Sequence, residues 1–137
     1  MLLIDAHIHL WQHLDGRLGT EKVRPLRHGI AKIGSNKIQA MPTWFTDCRN
    51  PAELALAAFD DAGVCGAVVT QEFLDGNQND YLLQIKKKYP ARFFVHALLD
   101  FHQPAGLKSE LVRVVKQGFQ GIKCPAMGLS RLKSPVR

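Results

Sequence analysis

The sequence of 137 residues predicts an α/β fold in which the strands of a parallel sheet alternate with helices. Three observations support this prediction. Strand-like and helix-like segments alternate between residues 50 and 124, a pattern typical of parallel strands joined by crossover helices. The strands in this region are short continuous apolar runs, as expected when both faces of a sheet are covered. Glycine or proline separates most neighbouring segments. The length suits one domain over residues 1–137, because a domain commonly has ~100–200 residues.

The first predicted strand covers residues 2–9, and its second half alternates between polar and apolar side chains. Asp5, His7 and His9 therefore share one face of the strand. No sustained periodicity follows between about residues 10 and 50, so this part is predicted to be a long loop. A connection of this length is uncommon in a compact domain and is usually functional or disordered.

Capping residues and apolar periodicity predict the remaining elements. Asn50 as N-cap and Pro51 as first helical residue predict the start of a helix, and Gly63 predicts its end. Two further helices are predicted at 79–88 and 105–117, and three further strands at 64–70, 93–99 and 119–124. The last helix is expected to bury four apolar side chains: Leu107, Leu111, Val114 and Val115.

Composition argues against several classes of protein. The net charge is +6, and the positive excess lies in residues 1–37 and 108–137, without the interleaved basic and aromatic stripe of a nucleic-acid binder. The apolar runs are far shorter than the ~18 residues of a membrane span, and no signal peptide is recognised. Three scattered cysteines do not form a disulfide framework. We therefore expect a cytoplasmic protein that binds neither nucleic acid nor membranes.

The motif Asp5-x-His7-x-His9 predicts a metal site. Histidines two residues apart on a strand project side by side, so both imidazoles can reach one divalent ion. Asp5 is expected to orient one of the rings. The motif ends the first strand, and ligands of parallel α/β folds bind at the carboxyl ends of strands.

Four segments of the chain resemble the amidohydrolase superfamily, specifically its amidohydrolase-related branch. "LIDAHIHLW" resembles the opening strand of that branch, and "AGVCGAVVTQ" resembles its second strand. "NDYLLQIKKKYPARFFVHALLD" and "GFQGIKC" resemble the elements up to the fourth strand. The resemblance extends from Leu3 to Cys124 apart from the first loop. It implies the first half of a TIM-barrel-like (β/α) fold, four strands of eight.

The resemblance also implies a metal-dependent hydrolase that acts on a carbonyl group of a small molecule, such as a lactone, amide or ester-like compound. His7 and His9 match the first two metal ligands of the family, and zinc is the expected metal. Trp11, Gln71 and Lys123 are expected to contact the substrate. The family's later ligands and its catalytic Asp belong to strands that have no counterpart here, so no catalytic residue is assigned and enzymatic activity is left open.

Two alternatives remain open. Decarboxylases of the same superfamily use the same ligand set on aromatic or unsaturated acids. The chain could also be a truncated, non-catalytic half-barrel that associates with itself, because an open half-barrel exposes strand edges and apolar surface. In either case we expect that this chain alone is not a competent hydrolase.

Overall fold

A computed structural model describes residues 2–101 and 103–124 of the chain. His102 and the basic segment after Cys124 lie outside the described residues. The described elements form two four-stranded sheets and three helices. In chain order they are β1 (Ile4–His9), β2 (Arg17–Leu18), β3 (Glu21–Pro25), β4 (Ile30–Ile33), β5 (Asn36–Gln39), α1 (Ala52–Ala62), β6 (Gly66–Thr70), α2 (Asn79–Lys88), β7 (Phe93–Leu98), α3 (Leu107–Lys116) and β8 (Gly121–Lys123).

The first sheet confirms the predicted α/β class. Its strand order is β1-β6-β7-β8, and every neighbouring pair is parallel. In the sequence α1 precedes β6, α2 connects β6 to β7, and α3 connects β7 to β8. None of the three described helices is long and apolar enough to cross a bilayer.

All three helices pack on one face of the parallel sheet. Phe93 and Val95 of β7 are fully buried in a core that includes residues of α1 and α2, and Ala97 packs against Val114 of α3. Phe94, the residue after Phe93, points to the opposite face of the sheet and is 48% exposed. This alternation follows from the two-residue period of a strand. On the opposite face of β7, Phe94 is exposed, His96 is half-buried and Leu98 is buried.

The second sheet lies within the segment that was predicted to be a loop. Strands β2 to β5 pair in sequence order and antiparallel, so the expectation of a connection without regular elements is wrong for residues 17–39. These strands have two to five residues and little apolar alternation, and all of β5 is exposed. One cluster of buried side chains in this region consists of Trp11, Leu14, Val23, Ala31, Met41 and Cys48.

The C-terminal end of α1 is as predicted from the sequence, whereas its N-terminal cap differs from the prediction. Gly63 ends the helix in the left-handed conformation with φ 70°, as predicted. At the start, Pro51 occupies the N-cap position, and no side chain caps the helix. Asn50 instead donates its Nδ2 hydrogen bond to the carbonyl oxygen of His9 at 2.7 Å. The predicted cap residue therefore fixes the end of β1.

The predicted buried face of α3 is only partly correct. Val114 is fully buried and Leu107 is half-buried, but Leu111 and Val115 are 38% and 60% exposed. The helix reaches the cluster formed by the end of β7 through Val114 and Leu107. Helical periodicity gives the relative positions of these side chains, but it does not give the width of the contact.

Candidate functional site

β1 brings His7 and His9 together at its carboxyl end. Their Nε2 atoms are 3.0 Å apart, and the two rings stack with centroids 5.1 Å apart. The prediction that both rings share one face is confirmed. Two imidazole ligands of one tetrahedral zinc ion, each at ~2.0–2.1 Å, have donor atoms about 3.3 Å apart. The observed separation fits a shared divalent ion.

Thr70 places a hydroxyl at the same point. It ends β6 and is the register partner of His9 across the parallel pair. Its Oγ1 lies 3.1 Å from Nε2 of His7 and 3.4 Å from Nε2 of His9. Thr70 belongs to no sequence motif, although it ends the strand predicted at 64–70, at the edge where ligands of parallel α/β folds bind.

Asp75 supplies the carboxylate that contacts a histidine ring. It lies in the turn after β6, and its Oδ2 accepts a hydrogen bond from Nδ1 of His9 at 2.5 Å. The motif predicts that Asp5 orients a ring, but Oδ1 of Asp5 accepts a hydrogen bond from the main-chain amide of His7 at 2.9 Å. The sequence therefore predicted the correct kind of partner and the wrong aspartate. Asp75 is separated from His9 by 66 residues, and no local pattern connects them.

Trp11 and Gln71, two of the predicted substrate contacts, are buried and form hydrogen bonds within the protein. The indole nitrogen of Trp11 donates to the carbonyl oxygen of Cys48 at 2.8 Å. Nε2 of Gln71 donates to Oδ1 of Asn79 and to the carbonyl oxygen of His96, both at 2.8 Å. These contacts give both side chains a structural role, and their role in substrate binding stays a prediction.

Lys123, the third predicted substrate contact, ends β8. Its Nζ forms an ion pair with Oε1 of Glu72 at 2.7 Å, which connects the carboxyl ends of β6 and β8. His96 of β7 lies beside Gly121, where an added Cβ would be 2.4 Å from the ring carbon Cδ2. Burial and, secondarily, the positive charge of Lys123 lower the pKa of His96 below its usual value.

A cavity of about 330 Å³ opens beside the turn that carries Asp75. Arg17 and Lys22 line it from the β2–β3 hairpin, and Phe73 and Leu98 contribute apolar walls. Arg17 forms an ion pair with Asp100 at 3.0 Å on the same wall. The volume lies at the lower end of the ~300–1,000 Å³ typical of small-molecule sites.

The donor set for a metal ion is incomplete within the described part of the chain. Residues 2–101 and 103–124 contain no group of three or more His, Cys, Asp or Glu side chains that could hold a metal ion. Catalytic zinc sites usually have three protein ligands and an open position. His7 and His9 therefore fit a divalent ion as a pair, with at least one further ligand needed.

Comparison with known proteins identifies the family. The model of the family described as amidohydrolase matches residues 4–129. No curated protein matches the chain by sequence. One similar solved structure is a probable 2-pyrone-4,6-dicarboxylic acid hydrolase from Acinetobacter baumannii, with a TM-score of 0.56 and 21% identity. The alignment covers 90% of this chain and 38% of that one, so this chain spans well under half of the larger protein. The likeness supports the fold, a TIM-barrel-type α/β architecture of which this chain represents an N-terminal part. Because the family match covers most of the sequence, the protein belongs to the amidohydrolase family.

Proposed function

We propose that this chain provides half of the metal site of a metal-dependent hydrolase that acts on a small molecule with a carbonyl group, such as a lactone, amide or ester-like compound. The observation that supports this proposal is the 3.0 Å separation of the His7 and His9 Nε2 atoms at the carboxyl end of β1. Family membership supports it independently, since amidohydrolases are generally metal-dependent. Zinc is the metal we propose, because imidazole nitrogen is one of its preferred ligands.

The chemistry that a bound zinc ion supplies is activation of water and polarisation of a carbonyl. In this chain His7 and His9 would hold the ion through Nε2. The cavity beside the Asp75 turn is the proposed substrate subsite, because it lies at the carboxyl ends of β6 and β7. Of the predicted substrate contacts, Lys123 keeps 20% of its side chain exposed, whereas Trp11 and Gln71 are buried.

Zinc affinity of the purified protein tests this proposal, measured by isothermal titration and by competition with a chelating dye. We expect His7→Ala and His9→Ala each to weaken zinc binding at least tenfold. His13→Ala is the matched control, because His13 is exposed and lies outside the pair. Unchanged zinc affinity in both variants would refute the proposed site.

A second candidate function is assembly with another copy of the chain that completes the site. Two observations support it. The described residues bring only two donors, His7 and His9, together. Apolar side chains are exposed at Ile4 of β1 and the two residues before it, Leu2 and Leu3, and at Leu111 and Val115 of α3. Burial of such apolar surface favours association by ~25 cal/mol per Å². Oligomeric state measured by light scattering, with and without zinc, tests this candidate.

Turnover assays separate these possibilities. Zinc-loaded protein is incubated with lactone, amide and carboxylic-acid panels, and we expect no turnover above free zinc from a monomer with two donors. Hydrolysis by a dimer, lost in His7→Ala, would support a site completed between copies. Release of carbon dioxide from an acid would assign the decarboxylase reaction instead.

A further inference from the structure

The carboxylate of Asp75 makes two hydrogen bonds through one oxygen atom. Oδ2 accepts from Nδ1 of His9 at 2.5 Å and from the main-chain amide of Glu72 at 2.9 Å. The side chain of Asp75 is 8% exposed, and that of His9 is 25% exposed. A charged acceptor makes stronger hydrogen bonds than a neutral one, and this contact is largely shielded from water.

The contact with His9 determines where the ring carries its proton. An ionised carboxylate can only accept, so the hydrogen must be on Nδ1 of His9. A neutral imidazole has one N–H and one lone pair, and the lone pair is then on Nε2. That nitrogen faces Nε2 of His7 and Oγ1 of Thr70. Metal-binding histidines commonly have such a carboxylate on their second nitrogen, which raises ligand basicity and fixes the ring.

The second bond connects the ring to the loop after β6. The amide of Asp75 donates to the carbonyl oxygen of Glu72 at 3.0 Å, so the Asp75 carboxylate and the main chain close the same turn. The carboxylate of Glu72 pairs with Lys123, and Phe73 and Gly76 of this segment line the cavity. The Asp75 carboxylate therefore links the His9 ring to the turn that lines the cavity.

We propose that Asp75 is a positioning residue, which holds His9 in the Nδ1–H tautomer with Nε2 presented to a divalent cation and couples the ring to the turn that lines the cavity. The proposal rests on the proposed function for the identity of the ligand. The part of the proposal that concerns the tautomer of His9 can be measured in the metal-free protein.

The experiment compares Asp75→Ala with Asp75→Asn. Alanine removes both hydrogen bonds, whereas the asparagine oxygen can occupy the position of Oδ2 and accept both as a neutral group. The control is Asp5→Asn, because Asp5 contacts the main chain of His7 rather than a ring. Long-range ¹H–¹⁵N correlation spectra of the metal-free proteins report the tautomer of each histidine, and amide spectra report whether each variant is folded.

We expect Nδ1–H for His9 in the wild type, in Asp75→Asn and in Asp5→Asn, and a mixture with Nε2–H in Asp75→Ala. Zinc affinity should fall about 10–100-fold in Asp75→Ala, the range found for removal of such partners, and less than tenfold in Asp75→Asn. If Asp75→Ala fails to fold, the wild-type tautomer still decides the question, because Nδ1–H on His9 supports the inference and Nε2–H overturns it.

Two results would overturn the inference. One is an Nε2–H tautomer for His9 in the wild type, and the other is an unchanged tautomer and zinc affinity in folded Asp75→Ala. Failure of the proposed function gives a different pattern. In that case His7→Ala leaves zinc binding intact, while the tautomer of His9 still responds to Asp75.

Discussion

Phe93 and Phe94 form a matched pair for testing the orientation of β7. They have the same side chain and adjacent positions, but Phe93 is fully buried and Phe94 is 48% exposed. Replacing a buried Phe by Ala costs ~3–5 kcal/mol of unfolding free energy. Phe93 also forms ring contacts with Phe59 at 6.4 Å and Tyr89 at 6.1 Å, each worth about 0.5–1.5 kcal/mol. We therefore expect Phe93→Ala to lose about 4–5 kcal/mol.

Phe94→Ala should cost far less. Complete burial of a large apolar side chain contributes about 1.5–3 kcal/mol, and Phe94 is only about half-buried, so we expect a loss of about 1 kcal/mol. Urea unfolding followed by circular dichroism measures both changes. With a slope of about 1–3 kcal/mol per molar urea, the two midpoints should differ by at least about 1 M. Equal losses, or a larger loss for Phe94→Ala, would show that the helices do not cover the Phe93 face.

Four further outcomes follow from particular contacts. Asn79→Ala removes three buried hydrogen bonds, one to Gln71 and two to main-chain groups of Leu98. We expect the free energy of unfolding, measured in urea, to fall by about 3 kcal/mol. A loss below about 1 kcal/mol would contradict the importance of these three hydrogen bonds. Gly121→Ala places a Cβ 2.4 Å from the His96 ring, so the free energy of unfolding should fall by about 1–3 kcal/mol. An unchanged melting temperature would argue against this close packing of Gly121 and His96. The folded protein binds fewer protons at His96 than the unfolded chain, so stability should fall as pH drops through about 6.5, the usual histidine pKa. Lys123→Met should raise the pKa of His96 in an NMR titration, and a lowered pKa would refute the assigned influence of the lysine charge.

Local patterns were sufficient for the helices and the parallel strands. The described bounds of α2 agree with the predicted 79–88, and Gly63 ends α1 as its left-handed preference indicates. Each of these features depends on residues within a few positions of one another, through periodicity or capping. The parallel class followed from the order of the elements, because short connections through helices favour parallel pairing.

The second sheet could not be found in this way. β5 is exposed throughout, and β2 has only two residues, so neither has the apolar alternation that identifies a strand. These strands are defined by antiparallel pairing with one another, which no single segment displays. The exposed face of α3 is a related case, because the extent of a helix contact depends on what packs against it.

In the candidate site, too, some features followed from the sequence and others from the tertiary structure alone. The sequence alone determined that His7 and His9 share a face, because a strand repeats every two residues whatever surrounds it. Only the tertiary structure decided which groups meet them. Parallel pairing of β1 with β6 places Thr70 beside the rings, and the turn after β6 brings Asp75 to Nδ1 of His9. Asp5 is nearer in sequence, yet its carboxylate bonds the main chain of its own strand. A side chain two residues away on a strand is held by the local backbone, whereas the partner of a ring is set by chain segments that only folding brings together.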